Sequence, residues 1–173
     1  EYPPEKPHLN LKGYEKEVVD YLLTHYKNQD GRVIIEFVLG THAHSDHIGG
    51  FDTVINHPDI VVKKAYLKPY HEDDIFVMER KRWDNKEVYT QMLDAIKKNN
   101  VKLIESFEGE ETILGDFNIK LYNGSYRKRK RKFGENINSV VAVAAIGKYK
   151  SVLAGDLNYK DGDERRLAKS IGK

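Results

Sequence analysis

Apolar residues along this chain fall into short blocks of differing period, and those periods predict helices alternating with strands. Residues 1–13 hold three of the five prolines (Pro3, Pro4 and Pro7) and no periodic pattern, so an irregular lead-in is expected. From Tyr14 the apolar positions Tyr14, Val18, Leu22 and Tyr26 recur every four residues, which is the spacing of one helix face. Asp30-Gly31 ends that pattern. Arg32 to Leu39 (RVIIEFVL) is a nearly continuous run rich in β-branched residues, as in a buried strand. Gly40 closes the strand and Thr41 to His47 form a polar loop, after which Ser45 or Asp46 is suited to cap a helix running to about His57.

Val61 to Leu67 predicts the next strand, and Val88, Met92 and Ile96 mark a helix that Asn99-Asn100 terminates. Short strands follow at Val101 to Ser106, Glu111 to Leu114 and Asn118 to Tyr122. Two more are expected at Asn138 to Ile146 and Ser151 to Ala154, joined by the Gly147-Lys148 turn. Asp163 to Ile171 reads as a last helix. Early alternation followed by clustered strands places the chain in the mixed α/β class, as one domain over residues 1–173.

Composition narrows the chemistry more than the fold. With 39% hydrophobic and 32% charged residues the chain has the balance of a globular protein, and its net charge of +2 does not by itself call for a polyanionic partner. No cysteine is present, so a metal would have to be held by histidine and carboxylate. No apolar run reaches the ~18–20 residues needed to span a bilayer. The polar opening Glu1-Tyr2-Pro3-Pro4 does not resemble a signal peptide, and Glu1 in place of methionine suggests a mature form or an excised segment.

The stretch that carries chemistry is Thr41-His42-Ala43-His44-Ser45-Asp46-His47-Ile48-Gly49-Gly50. Three histidines and an aspartate lie within six residues, directly after a buried strand. In extended backbone, positions two apart point the same way, so His42 and His44 can converge on one ion. Asp46 and His47 lie past the bend and face a second position. A lone histidine is usually solvated and a lone aspartate usually a helix cap; four donors at this spacing point to a metal. Imidazole with carboxylate suits zinc, iron or manganese. Gly49-Gly50 would let the helix start pack close under the strand end. Farther on, Lys150 to Leu157 (KSVLAGDL) ends in Gly155-Asp156, and a carboxylate at a strand end is placed to bridge two ions.

These residues resemble the metallo-β-lactamase superfamily: T-H-A-H-S-D-H-I-G-G matches its H-x-H-x-D-H motif in full, and A-G-D-L its later G-D motif. Over about residues 36–158 the chain is also similar to the catalytic modules of pneumococcal phosphorylcholine esterases, which are choline-binding cell-surface proteins. Ala65 to Tyr70, Arg82-Trp83-Asp84-Asn85, Gly115 to Asn123 and Asn136 to Ser139 carry that similarity. A more distant likeness is to the lactamase-like domains of competence DNA-uptake proteins. The resemblance implies an αββα sandwich and two metals, usually zinc. His42 and His44 would hold one, Asp46 and His47 the other, and Asp156 would be shared. It further implies a metal-bridging hydroxide oriented by Asp46 and an extracellular or cell-surface location.

The chain departs from that pattern in three places. Nothing upstream of Gly31 matches the family's opening β-hairpin, and no histidine occurs after His71, where a further ligand is usual. Only residues 157–173 follow Asp156, fewer than the family's second half requires. A partial sandwich is therefore expected, lacking the N-terminal hairpin and the C-terminal strands, either as part of a larger domain or in a degenerate relative. The histidine that lactamases place between the two motifs is missing too, and a β-lactam substrate is disfavoured. His71 is a spare ligand candidate, while His8, His25 and His57 read as surface residues.

Three function classes follow. The first is a metal-dependent phosphodiester hydrolase acting on phosphorylcholine of a cell-surface polymer, with Lys68, Tyr70, Trp83 and Asn138 as substrate-binding candidates. Tyr66, Tyr70 and Trp83 could wall a quaternary ammonium group, although core packing suits Tyr66 better. The second is a nuclease-like hydrolase tied to DNA uptake, in which the basic run Arg127 to Lys132 (RKRKRK) would meet phosphates; such runs are more often solvated loops. The third is a metal-binding scaffold without turnover. Oligomeric state is not readable from the sequence.

Overall fold

The computed structural model describes residues 13–159 and 163–172. The expected lead-in before Gly13, including His8, lies outside the described residues. The architecture is mixed α/β, as the sequence pattern predicts, but several elements are broken where that pattern was smooth.

The first helix, α1 (Glu15–His25), forms where expected yet buries a different face. Val19 is buried and Leu22 and Leu23 pack on the core, whereas Tyr14, Val18 and Tyr26 are exposed. A strict four-residue repeat drifts around a helix of 3.6 residues per turn, and the 19/22/23 group forms the tighter stripe. The apolar run after it is two strands: β1 (Val33–Ile35) and β2 (Val38–Gly40), separated by a bend at Glu36-Phe37. The next run divides in step, into β3 (Ile60–Val62) and β4 (Lys64–Leu67). In parallel register β1 pairs with β3, and β2 with β4. The Lys63 amide donates to the Ile35 carbonyl at 3.0 Å, holding the two breaks side by side.

The single helix expected to reach His57 is also two: α2 (Ser45–Ile48) and α3 (Phe51–Asn56). Gly50 causes the break, with φ +83° and room for no side chain, since a Cβ there would sit 2.9 Å from the Glu15 Cβ. Gly50 thus seats α3 against α1, while Gly49 closes on the Ser45 carbonyl of its own turn. α2 packs against the end of β2 through Ile48, which lies where a Cβ on Gly40 would be 3.2 Å away. His44, not Ser45 or Asp46, occupies the N-cap of α2, and no side chain caps it.

Short α4 (Val77–Arg82) had no apolar signature in the sequence, while α5 (Asn85–Lys98) buries Val88, Met92 and Ile96 as expected. After α5, β5 (Lys102–Ile104) joins β4, giving the order β2-β4-β5. The antiparallel half is a four-stranded sheet in chain order: β6 (Glu111–Leu114), β7 (Phe117–Tyr122), β8 (Val141–Ile146) and β9 (Tyr149–Leu153). Asn138 lies in a short 3-10 turn before β8 instead of in the strand. The last helix is α6 (Asp163–Ile171).

Side-chain alternation sorts these elements into packed tiers. Ala65 and Leu67 of β4 face a core shared with Val19, Ile55, Met92 and Ile96 of the helices, while Tyr66 between them points the other way. There Tyr66 meets Leu121 and Ala142 of the antiparallel sheet. On that sheet's opposite face Val141 and Val143 pack against Leu167 of α6. No helix among the described residues is long and apolar enough to cross a membrane.

Candidate metal centre

The site lies where the carboxyl end of β2 meets the segments that follow β9 and precede β8. The loop leaving β2 turns back on itself, with the amides of His47 and Ile48 donating to the His44 carbonyl at 3.0 and 2.9 Å. The amide of Val140 donates to the Thr41 carbonyl at 2.9 Å, tying the loop to the start of β8. This curl gathers the three imidazoles, with the His42 ring centroid 4.7 Å from that of His44, edge to face, and 4.1 Å from that of His47, with the planes tilted by 46°.

The donor atoms converge. His42 Nε2 lies 3.0 Å from His44 Nδ1, and His47 Nε2 lies 3.1 Å from Asp156 Oδ1 and 3.7 Å from Asp46 Oδ2. His42, His47 and Asp156 each offer an atom within 4.8 Å of the others'. Donors at about 2.0–2.2 Å from a shared ion sit up to ~4 Å apart, so a small contraction would close this group on a cation. The donor set, imidazole and carboxylate, fits zinc, iron or manganese. Asp46 is on the solvent side, with its side chain 76% exposed.

Electrostatics prepare the histidines differently. Burial, then the neighbouring His47, His44 and Lys68, push His42 down to about 2, so its ring is neutral. For His44, burial also opposes charge, but the hydrogen bond and negative charge of Glu79 outweigh it and raise the group above its ordinary value. Glu79 is itself half-buried, yet hydrogen bonds from His44, the Glu135 amide and Asn85 hold its carboxyl below the usual range. Glu135 is the reverse case: burial lifts it to about 7, against the pull of Asn138 and the Ala43 amide.

Ser139 joins the two motifs. It is fully buried, its Oγ accepts the Asp156 amide at 3.2 Å, and it lies 3.3 Å from His42 Nδ1. Thr41 Oγ1 spans His42 Nδ1 at 3.2 Å and His47 Nδ1 at 3.3 Å. Neither hydroxyl was singled out from the sequence, nor was Glu79, 35 residues from the histidine it touches. Only adjacency to the motif could have flagged Thr41. For Glu79, in the polar stretch VMERKR, no local signal exists.

The substrate candidates separate. The Trp83 ring centroid lies 6.3 Å from that of His44, so Trp83 borders the site, with the Arg82 guanidinium 5.1 Å over its ring. Lys68 is buried and donates to the Asn123 carbonyl at 2.8 Å, and buried Asn138 donates to Glu135 at 3.0 Å. The structure therefore places both in the interior and not on an open wall. Tyr70 is wedged between two apolar clusters with its hydroxyl enclosed. Tyr66 is core; burial and then its hydrogen bond to Glu110 push its hydroxyl up to about 12. His71 packs against Tyr126 at 4.3 Å between centroids, the rings tilted by 53°, outside the ligand group. His57 Nδ1 accepts the Asp59 amide. In the basic run Arg129 is half-buried over Phe133 and the other five residues are exposed.

No family model matches the sequence. No curated protein matches it either. The solved structure of CmlA, a diiron β-hydroxylase from Streptomyces venezuelae, matches 82% of this chain and 24% of its own, at 12% identity and a TM-score of 0.40. The chain thus spans about a quarter of that protein's length, and so slight a likeness bears on neither fold nor chemistry.

Proposed function

We propose that this chain is a metal-dependent hydrolase of metallo-β-lactamase type whose substrate is a phosphodiester, with phosphorylcholine on a cell-surface polymer as the favoured case. The observation that carries the reading is the convergence of His42, His47 and Asp156, with His44 Nδ1 beside His42 and Asp46 beside His47. The tiered packing of helices, sheet, sheet and helix supports an αββα sandwich around that site.

His42 and His44 would hold one ion, Asp46 and His47 a second, and Asp156 both. Two divalent cations, zinc in the first instance and iron or manganese as alternatives, would acidify water and offset charge on phosphate oxygens. The chain's own groups supply the rest. Asp46 stands on the open side beside His47, where its carboxylate can accept a hydrogen bond from the attacking water and aim it. Thr41 fixes the rings of His42 and His47 through one hydroxyl. Trp83, beside His44, offers a π face to a quaternary ammonium group, and Arg82 adds positive charge suited to the phosphate.

The test pairs metal content, by elemental analysis of protein purified without added metal, with hydrolysis of a chromogenic phosphodiester. Between one and two ions per chain are expected, with turnover reduced by more than ~100-fold in His42→Ala. Metal uptake without turnover would leave only the scaffold reading, and no uptake would remove both.

A further inference from the structure

Two carboxylates from distant segments grip the histidine loop, and neither belongs to its motif. Glu79 Oε1 accepts three donors: His44 Nε2 at 3.1 Å, the Glu135 amide at 2.9 Å and Asn85 Nδ2 at 3.2 Å. Glu135 in turn accepts the Ala43 amide at 3.2 Å through Oε1 and Asn138 Nδ2 at 3.0 Å through Oε2. Residues 43 and 44 are thus held from outside, one by its backbone and one by its ring.

We infer that Glu79 is a positioning residue that fixes the tautomer of His44. An ionised carboxylate can only accept, so the one proton of a neutral His44 must sit on Nε2, which leaves Nδ1 with its lone pair facing the ligand cluster. The neighbouring contacts then sort themselves. His44 Nδ1 accepts from His42 Nε2 at 3.0 Å, and His42 Nδ1 accepts from the hydroxyl of Thr41 or Ser139. In the metal-free protein His44 therefore already stands in the form a metal needs, while His42 carries its proton on the very nitrogen that would have to ligate. A carboxylate behind a ligating imidazole is a general device for orienting the ring and raising its basicity.

The inference rests on the proposed metal site only for what Nδ1 is used for; the tautomer stands apart from it. The experiment has two readouts. Long-range proton–nitrogen NMR on metal-free, nitrogen-15-labelled protein above neutral pH reports the tautomer. There His44 is expected to be protonated at Nε2, a mixture in Glu79→Ala, and Nε2-protonated again in Glu79→Gln, whose amide oxygen still accepts. Zinc titration against a chromophoric chelator reports the consequence: Glu79→Ala should bind ~10–100-fold more weakly, and Glu79→Gln should recover most of that loss. A His44 protonated at Nδ1 in the wild type would overturn the inference. So would a Glu79→Ala protein with an unchanged tautomer and an unchanged affinity. If the wild type takes up no zinc, the proposed function fails while the NMR measurement still decides the tautomer. If Glu79→Ala does not fold, the wild type and Glu79→Gln carry the test.

Discussion

The two sides of the candidate centre are built to different standards. Its histidine side hangs from β2, the end strand of a parallel sheet whose β2 and β4 bury Val38, Ala65, Tyr66 and Leu67. Its loop is tied at the Thr41 carbonyl, the Ala43 amide and the His44 ring. Asp156 follows β9, the last strand of the antiparallel sheet, and every residue of that strand is exposed. Tyr149 and Leu153 on one face and Val152 on the other remain open to solvent. Preorganisation is thus concentrated on one side, and metal affinity should be limited by how well β9 holds Asp156 in place.

This contrast can be broken most directly by matched truncations. Leu121→Ala, at a site 2% exposed in the core between the sheets, should cost about 2–5 kcal/mol in urea unfolding. Leu153→Ala, at a site 63% exposed on the same face of that sheet, two strands away, should change stability by no more than about 0.5 kcal/mol. Equal losses would mean that β9 is as well anchored as the rest.

A smaller effect comes from acid. His42 is held down to about 2 against 6.5 unfolded, so below pH 6.5 the unfolded chain binds a proton that the native chain refuses. Stability then falls with acidification by up to about 1.4 kcal/mol per pH unit. Glu135 acts oppositely. Raised to about 7 from 4.5, it binds a proton in the native state first, so its contribution grows as pH falls from 7 to 4.5 and is lost as pH rises through 7. In metal-free protein the two slopes should nearly cancel between pH 6.5 and 4.5, leaving a decline below 4.5. In Glu135→Gln the urea midpoint should instead start to fall at 6.5, and a profile unchanged by that substitution would refute this account.

The smallest effect sharpens the picture of β9. Val152→Lys should leave stability within about 0.5 kcal/mol but reduce light scattering of concentrated protein, because lysine on an open edge strand discourages edge-to-edge pairing. Unchanged scattering would indicate that the edge is already shielded.

Much of this arrangement could be read along the chain, and what could not has a common cause. The helices around Val88, Met92 and Ile96 and at Asp163–Ile171, and the strand at Glu111–Leu114, were legible because neighbouring residues alone set their period. The breaks at Glu36-Phe37 and Lys63 were not, because an unbroken apolar run carries no mark of where it changes sheets. The site divides in the same way. His42, His44, Asp46 and His47 announce themselves through spacing, and Asp156 through its strand-end position. Glu79 looks ordinary in the sequence, and Ser139 stands there only as the end of a resembling stretch; what gives both their place at the site is where the chain's long-range packing delivers them.

Gly155 shows how narrow that delivery is. Its φ is +55°, and a Cβ would lie 3.2 Å from Ser139 Cβ, Ser139 Oγ and Thr41 Cβ at once. The seam between the two sides is gauged closely to bare backbone: an added methyl would press on Ser139 and Thr41 enough that they must give by a few tenths of an ångström, while straining a conformation that side chains rarely adopt. Gly155 is therefore a position where neutral drift has almost nowhere to go, although it contributes no atom to any ligand.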